Sequence, residues 1–130
     1  MRRREQPRIG DLELRILNVL WERGPSTVRE VLEALPPQPR QAYTTILTML
    51  RYMHEKGFVD RDERGKAHLY RARLKERPVK RGLLRGLVAV AFRGSAEAVI
   101  ARLLEDEKLT PDELARVKEL IETKEREGRR

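Results

Sequence analysis

The chain of 130 residues contains no cysteine and only two histidines, His54 and His68. Disulfide bonds and thiolate metal sites are therefore impossible, and two imidazoles are too few for a zinc finger or a clustered histidine site. We expect no metal and no other cofactor. A chain without cysteine also fits the reducing cytoplasm, which is where we expect the protein to work.

Long apolar runs are missing as well, and no stretch approaches the roughly 20 apolar residues that a membrane-spanning helix needs. Residues 2–4 are all arginine, like the start of a signal peptide, but Asp11, Glu13 and Arg15 interrupt the next segment before an apolar core forms. We expect neither a membrane span nor a secretion signal. The sequence also lacks a nucleophile elbow, a phosphate-binding glycine loop and a carboxylate constellation, so we do not expect an enzyme.

Positive charge is what the chain has in excess, with 29 Lys+Arg against 21 Asp+Glu and a net charge of +8. A division after Lys80 gives the first part +7 and the second part +1. This one-sided distribution favours an N-terminal part that binds a polyanion, with nucleic acid as the leading choice. A charge-rich surface that only confers solubility is the alternative.

Three helices are predicted within the first 57 residues. Apolar residues recur at helical spacing over 9–21, and Gly-Pro at 24–25 ends that segment. Thr27 stands three residues before Glu30, which is the spacing of a capping box and predicts a short second helix. A third helix is predicted over residues 42–57, with the glycine at its end as the C-cap.

The apolar pattern then changes to a period of two. Phe58 and Val59 predict one strand, residues 67–70 predict another that includes His68, and a charged turn with Gly65 separates them. We therefore predict a mostly α fold with a small β-hairpin wing, which is a winged helix-turn-helix followed by a C-terminal helical region.

The C-terminal part is predicted to contain three more helices after a linker around residues 75–80. Ser95 is placed to cap the second of these helices, and Thr110 to cap the third with Pro111 at its first position. Roughly 50 residues of amphipathic helix rarely hold a stable core alone. We therefore predict a winged-helix DNA-binding domain with a basic arm over residues 1–75 and an α-helical dimerisation domain over residues 76–130.

The predicted dimer surface is the apolar stripe of the C-terminal helices, and a monomer that packs this stripe on its own N-terminal part is the alternative. The stripe consists of Leu84, Leu87, Val88, Ala91, Val99, Ile100, Leu103, Leu114, Val117, Leu120 and Ile121.

The third helix carries the predicted reading surface for DNA. Ile46, Met49, Leu50 and Met53 share a core face, whereas hydroxyl, arginine and tyrosine side chains occupy the remainder. Such groups bond to phosphates and base edges in the major groove, while a merely solvated face is the alternative. The predicted recognition residues are Tyr43, Thr44, Thr45, Thr48, Arg51 and Tyr52.

Phosphate contacts are predicted from two segments that flank the third helix, the start of the second helix and the hairpin. The residues concerned are Ser26, Thr27, Arg29, Arg61, Arg64, Lys66 and His68.

Several segments of the sequence resemble the penicillinase-repressor family, also known as the BlaI/MecI group. The resemblance rests on GDLEL at 10–14, VLW at 19–21, AYTTILTML at 42–50, HEKGFV at 54–59 and GKAHLY at 65–70. It implies a homodimeric transcriptional repressor that binds a pseudo-palindromic operator in double-stranded DNA through its winged helices. It also places the family's recognition positions on Thr44, Thr45, Thr48 and Arg51, and its wing on residues 64–66.

The resemblance further implies a membrane sensor protease as a partner that releases the repressor by cleavage. The cleavage segment falls on Arg102-Leu103, where the β-lactam repressors have an asparagine followed by an aromatic residue, so this chain departs from the family there. The copper-responsive branch carries C-terminal cysteines, which this chain does not have. A winged-helix protein-protein interaction module and a non-specific architectural DNA-binding protein are the alternative functions.

Overall fold

The computed structural model describes residues 8–129, so the basic arm at residues 2–4 lies outside the described part. The chain divides into two compact units, Met1–Leu84 and Arg85–Arg130. The sequence-based boundary between residues 75 and 76 lies somewhat earlier. The described residues form α1 (Asp11–Arg23), α2 (Val28–Ala34), α3 (Tyr43–Glu55), β1 (Val59–Asp62), β2 (Leu69–Ala72), α4 (Glu76–Ala91), α5 (Ala96–Asp106) and α6 (Pro111–Gly128).

The first helix ends at Gly24 and the second begins after Thr27, as predicted, whereas α3 spans Tyr43–Glu55 within the predicted residues 42–57. At α2, the Thr27 hydroxyl accepts a hydrogen bond from the Glu30 N–H at 3.1 Å, and the Glu30 carboxylate accepts one from the Thr27 N–H at 2.9 Å. These bonds satisfy two of the N–H groups that a helix start leaves free. Gly57 ends α3 with φ +81°, a left-handed backbone that favours glycine.

The core of the first unit is built from the inner faces of α1, α2 and α3 and is closed by the hairpin. Its buried residues are Ile16, Leu17, Val19, Leu20, Val28, Val31, Leu35, Ile46, Leu50, Met53, Phe58, Val59 and Tyr70. Three of the four residues predicted for the inner face of α3 are fully buried, and Met49 is half-buried against them. The other face of α3 is therefore left on the surface.

The hairpin pairs its strands antiparallel, from Val59 opposite Ala72 to Asp62 opposite Leu69. His68 precedes the first paired residue of β2, so its placement in the strand was wrong. Tyr70 is buried and exchanges two backbone hydrogen bonds with Ser26, of 2.8 and 2.9 Å. This bridge ties the wing to the turn between α1 and α2.

The predicted linker around residues 75–80 is instead the first part of α4. The Trp21 indole N–H donates to the Leu74 carbonyl at 2.9 Å, and the Lys80 ammonium lies 5.6 Å from the centre of the Trp21 ring. Val79 is buried. The first part of α4 thus has charged residues around the buried Val79. Its sequence looks like a linker, although tertiary packing stabilises it as a helix.

The second unit contains α5, α6 and the last part of α4. Both predicted caps are confirmed: the Ser95 hydroxyl accepts from the Ala98 N–H at 3.0 Å, and Thr110 forms a capping box with Glu113. Pro111 is the first residue of α6, as predicted. No helix within residues 8–129 is long and apolar enough to cross a membrane.

Candidate nucleic-acid interface

The outer face of α3 presents all six predicted recognition residues to solvent. Thr44, Thr45, Thr48 and Arg51 are exposed, as are Tyr43 and Tyr52. The buried side of the same helix fixes this face because Ile46, Leu50 and Met53 allow only one rotation of α3 against the core. Hydroxyl groups, a guanidinium and two phenol rings on α3 are therefore all open to solvent.

Arg29 connects the start of α2 to the start of α3. Its guanidinium lies 5.4 Å from the centre of the Tyr43 ring, within the range of a cation-π contact. Two residues that the sequence assigned to different roles, phosphate binding and base reading, are therefore neighbours in the fold. This contact holds the exposed Arg29 side chain beside the first turn of α3.

Ser26 is not available to a phosphate, contrary to the sequence-based expectation. Its side chain is buried, and its hydroxyl donates to the Gly24 carbonyl at 2.9 Å while its backbone pairs with Tyr70. Thr27 is half-buried, and its hydroxyl oxygen caps α2. The turn between α1 and α2 thus uses both hydroxyl groups for its own structure, whereas Arg29 remains exposed.

The wing tip presents three cationic or titratable side chains, Arg64, Lys66 and His68, all exposed. Arg64 forms a two-pronged ion pair with Asp62, in which Nη2 and Oδ2 are 2.8 Å apart and Nε and Oδ1 are 3.0 Å apart. The hydrogen bonds from the side chain and the backbone of Arg64 lower the pKa of the Asp62 carboxyl to about 2. Asp62 is therefore charged at neutral pH.

Arg61 is more deeply placed than the other wing cations. Its side chain is half-buried and forms an ion pair with Glu63. The pKa of the guanidinium is raised, mainly by contact with the Tyr70 hydroxyl and further by the Glu63 carboxylate. Arg61 therefore belongs to the framework of the wing as well as to its surface.

The acidic residues that pair with the arginines of the wing were not predicted from the sequence. Asp60 lies directly opposite Arg71 in the hairpin, with Oδ2 and Nε 3.7 Å apart. The signal was present as three acids and two arginines mixed over residues 60–64, followed by the arginines at 71 and 73. Only the strand register shows which acid meets which base.

The second unit exposes a row of large apolar side chains. Among the predicted dimerisation residues of this unit, those that remain exposed are Leu87, Ala91, Ile100, Leu103, Leu114, Leu120 and Ile121, while Val88 and Val117 are half-buried. Leu84 is also exposed but is the last residue of the first unit. Val99 differs because it is already buried within the chain, so it packs internally. No group of three or more His, Cys, Asp or Glu within residues 8–129 is arranged to hold a metal ion.

The helices α2 and α3 form a helix-turn-helix in which one face of α3 is exposed. A basic hairpin follows and is tied back to the turn between α1 and α2, and this arrangement defines a winged helix-turn-helix protein. The sequence matches the family model described as Penicillinase repressor over residues 9–123. The chain belongs to the penicillinase repressor family. This match includes residues of both compact units.

Named relatives share this family. The chain is 22% identical over 116 residues to the methicillin resistance regulatory protein MecI of Staphylococcus aureus (strain N315), covering 89% of this chain and 94% of MecI. It is 42% identical over 64 residues to the transcriptional regulator BlaI of Mycobacterium tuberculosis (strain ATCC 25618 / H37Rv), covering 48% and 46%.

Among solved structures, the chain is similar to the monomeric form of Bacillus licheniformis BlaI in complex with the blaP half-operator. The TM-score is 0.47 and the sequence identity 28%, and the match covers 55% of this chain and 88% of that one.

Proposed function

We propose that the protein is a sequence-specific DNA-binding transcriptional repressor that acts as a homodimer on a pseudo-palindromic operator. The observation that carries this proposal is the exposed face of α3, where Thr44, Thr45, Thr48 and Arg51 lie together on the second helix of a helix-turn-helix. Threonines are weak helix formers, so helix stability does not account for three of them on one surface.

The side chains on α3 have the chemistry that base reading in the major groove requires. A guanidinium binds both acceptors of guanine, and threonine offers a hydroxyl to base edges and a methyl group to thymine. Arg51 and Thr48 are therefore assigned to base reading. Arg29, Lys66 and His68 are assigned to backbone phosphates, which fix the position of the protein without reading sequence.

The second unit is assigned to dimerisation, because a group of exposed leucines and isoleucines is typical of a surface that another protein covers. A twofold-symmetric dimer places two copies of α3 in successive major grooves, about 34–36 Å apart, which explains why the operator is pseudo-palindromic. Residues 1–75 then form the DNA-binding domain and residues 76–130 the dimerisation domain.

The names of the relatives support a regulatory role. MecI is named a resistance regulatory protein, and the Mycobacterium tuberculosis BlaI a transcriptional regulator. We propose no catalytic role for this chain, and we propose that it binds its DNA in the cytoplasm.

Fluorescence anisotropy with labelled DNA tests the proposal. Fragments from upstream of bacterial genes are titrated with the full-length protein in the presence of excess random DNA. We expect a discrete fragment to be preferred, and its affinity to fall by about 10³ or more between 50 and 200 mM salt if six or more phosphates are bound. Equal binding to all fragments would indicate an architectural protein, and negligible binding a protein-protein interaction module.

Two substitutions separate base reading from phosphate binding. Arg51→Ala is expected to cost about 1–3 kcal/mol at the preferred site and to relax the choice of one base pair. Lys66→Ala is expected to weaken binding to all sequences and to reduce the salt slope by about 1. Lys118→Ala, an exposed residue of α6, is the control and should change neither. The assignment of roles is wrong if Arg51→Ala and Lys66→Ala act alike.

A further inference from the structure

The wing contains its own counter-charges. Among the described residues, three ion pairs lie within residues 60–71: Asp60 with Arg71, Arg61 with Glu63, and Asp62 with Arg64. The wing is thus much less positive towards an approaching polyanion than its arginines suggest. Lys66 at the tip has no acidic partner among the described residues.

The Asp62-Arg64 pair has the most complete geometry of the three. Asp62 Oδ2 accepts from Arg64 Nη2 at 2.8 Å, Oδ1 accepts from Nε at 3.0 Å, and Oδ1 also accepts from the backbone N–H of Arg64 at 3.0 Å. The pair is nevertheless on the surface, since 91% of the Arg64 side chain is exposed. A ligand from solvent can therefore reach the guanidinium.

The Nε-Nη2 edge of Arg64 is one of the two edges with which a guanidinium can bind two oxygens of a phosphate. The Asp62 carboxylate offers two oxygens in a similar fork, and one edge cannot be bonded in this way to both anions at once. The pKa of Asp62 is low, so its carboxylate is charged at neutral pH and competes with a phosphate for this edge.

We propose that Asp62 is an internal substitute for a DNA phosphate, which holds Arg64 in the free protein and is displaced by the DNA backbone on binding. This inference rests on the proposed function and deepens it. Lys66 makes the first contact of the wing tip, and Arg64 follows when it exchanges Asp62 for a phosphate. Asp62 then lowers the affinity of the wing for any duplex, independent of sequence.

A double-mutant cycle on the full-length protein tests the exchange. Asp62→Asn, Arg64→Gln and the double variant are titrated by anisotropy, at one salt concentration, against a random-sequence duplex and against the preferred fragment. Asparagine keeps the oxygen that accepts the Arg64 backbone N–H and removes the charge. Since exposed ion pairs are weak, we expect Asp62→Asn to raise affinity for both duplexes about two- to fivefold per wing.

The decisive comparison is between the two backgrounds. The gain from Asp62→Asn is expected to disappear when residue 64 is glutamine, because no guanidinium is left to release. Glu63→Gln is the matched control: it removes the same charge one residue away, where the partner is Arg61. Its effect should be the same in both backgrounds. Circular dichroism checks that each variant keeps the helical content of the wild type.

Other outcomes overturn the proposal. A gain that persists in the Arg64→Gln background shows a long-range charge effect, and a loss of affinity in Asp62→Asn shows that Asp62 orients Arg64 for DNA. If the wild type binds random and genomic duplexes equally while the cycle behaves as expected, sequence specificity fails but the exchange stands. If the wild type binds no duplex, both fail.

Discussion

At the scale of single residues, neighbours in the turn between α1 and α2 have different tasks. Ser26 is buried and bonded to Gly24, Thr27 caps α2, and Arg29 projects to the surface above Tyr43. All three were equally plausible phosphate ligands in the sequence. Burial excludes Ser26, because its O–H already donates to the Gly24 carbonyl inside the protein and has no second proton to offer an external anion.

Thr27 gives a prediction about stability. Thr27→Ala removes the hydroxyl that accepts the Glu30 N–H and is expected to lower the free energy of unfolding by about 1 kcal/mol. Thr48→Ala is the matched control, since Thr48 is exposed in the middle of α3 and alanine is the better helix former. Urea denaturation should show the loss for the first variant and a change within about 0.5 kcal/mol for the second. Equal losses would contradict the capping role.

At the scale of elements, the position of α3 depends on how it ends. Gly57 has φ +81°, and its N–H donates to the His54 carbonyl at 3.1 Å, after which the chain turns into β1. At its other end, Arg29 contacts the Tyr43 ring. The exposed face of α3 is therefore held at both ends of the helix as well as by its buried side.

The two glycines Gly57 and Gly86 predict opposite effects of one substitution. Gly57→Ala forces a left-handed backbone on an L residue and is expected to destabilise the protein by about 1–2 kcal/mol. Gly86 lies inside α4, and apart from its chain neighbours and the nearby backbone of that helix, a Cβ there meets no described atom within 4 Å. Gly86→Ala is therefore expected to stabilise by about 0.5–1 kcal/mol. Denaturation curves of the same sign for both variants would refute this account.

At the scale of the whole molecule, the two compact units differ in how far they complete their own cores. The first unit buries thirteen apolar residues in one cluster, whereas α6 has no buried residue within the described chain. Helices that leave their apolar side uncovered gain stability by association. This contrast is the reason to assign DNA binding to one unit and dimerisation to the other.

A substitution in the second unit tests the assignment of dimerisation separately from the assignment of DNA binding. Leu103 is half exposed on α5, and Leu103→Glu would place a charge in the proposed interface. We expect sedimentation equilibrium to show at least about a tenfold weaker dimer, because an unpaired buried charge is costly. Ala101→Glu, on the polar side of α5, is the control and should remain dimeric. Binding to a half-site duplex should be unchanged in both variants, and a wild type that is monomeric would rule out this assignment.

Much of this fold can be predicted from short-range patterns in the sequence. The caps at Thr27, Ser95 and Thr110, the glycine that ends α3 and the inner face of that helix all follow from interactions within a few residues, so the sequence predicts them. The first part of α4 escaped prediction because its charged residues resemble a linker. The chain just before it is held by the Trp21 indole, which donates to the Leu74 carbonyl 53 positions away.

Spacing along the chain is enough to predict the helices other than the first part of α4, the wing, the excess of positive charge in the first 80 residues and the grouping of threonine and arginine on α3. Three other features are visible only in the folded chain: Ser26 is buried, α4 begins at Glu76, and Asp60 meets Arg71 across the hairpin. These depend on which distant segments meet. Even the Asp62-Arg64 pair, two residues apart, forms only because the hairpin turn brings the carboxylate and the guanidinium together.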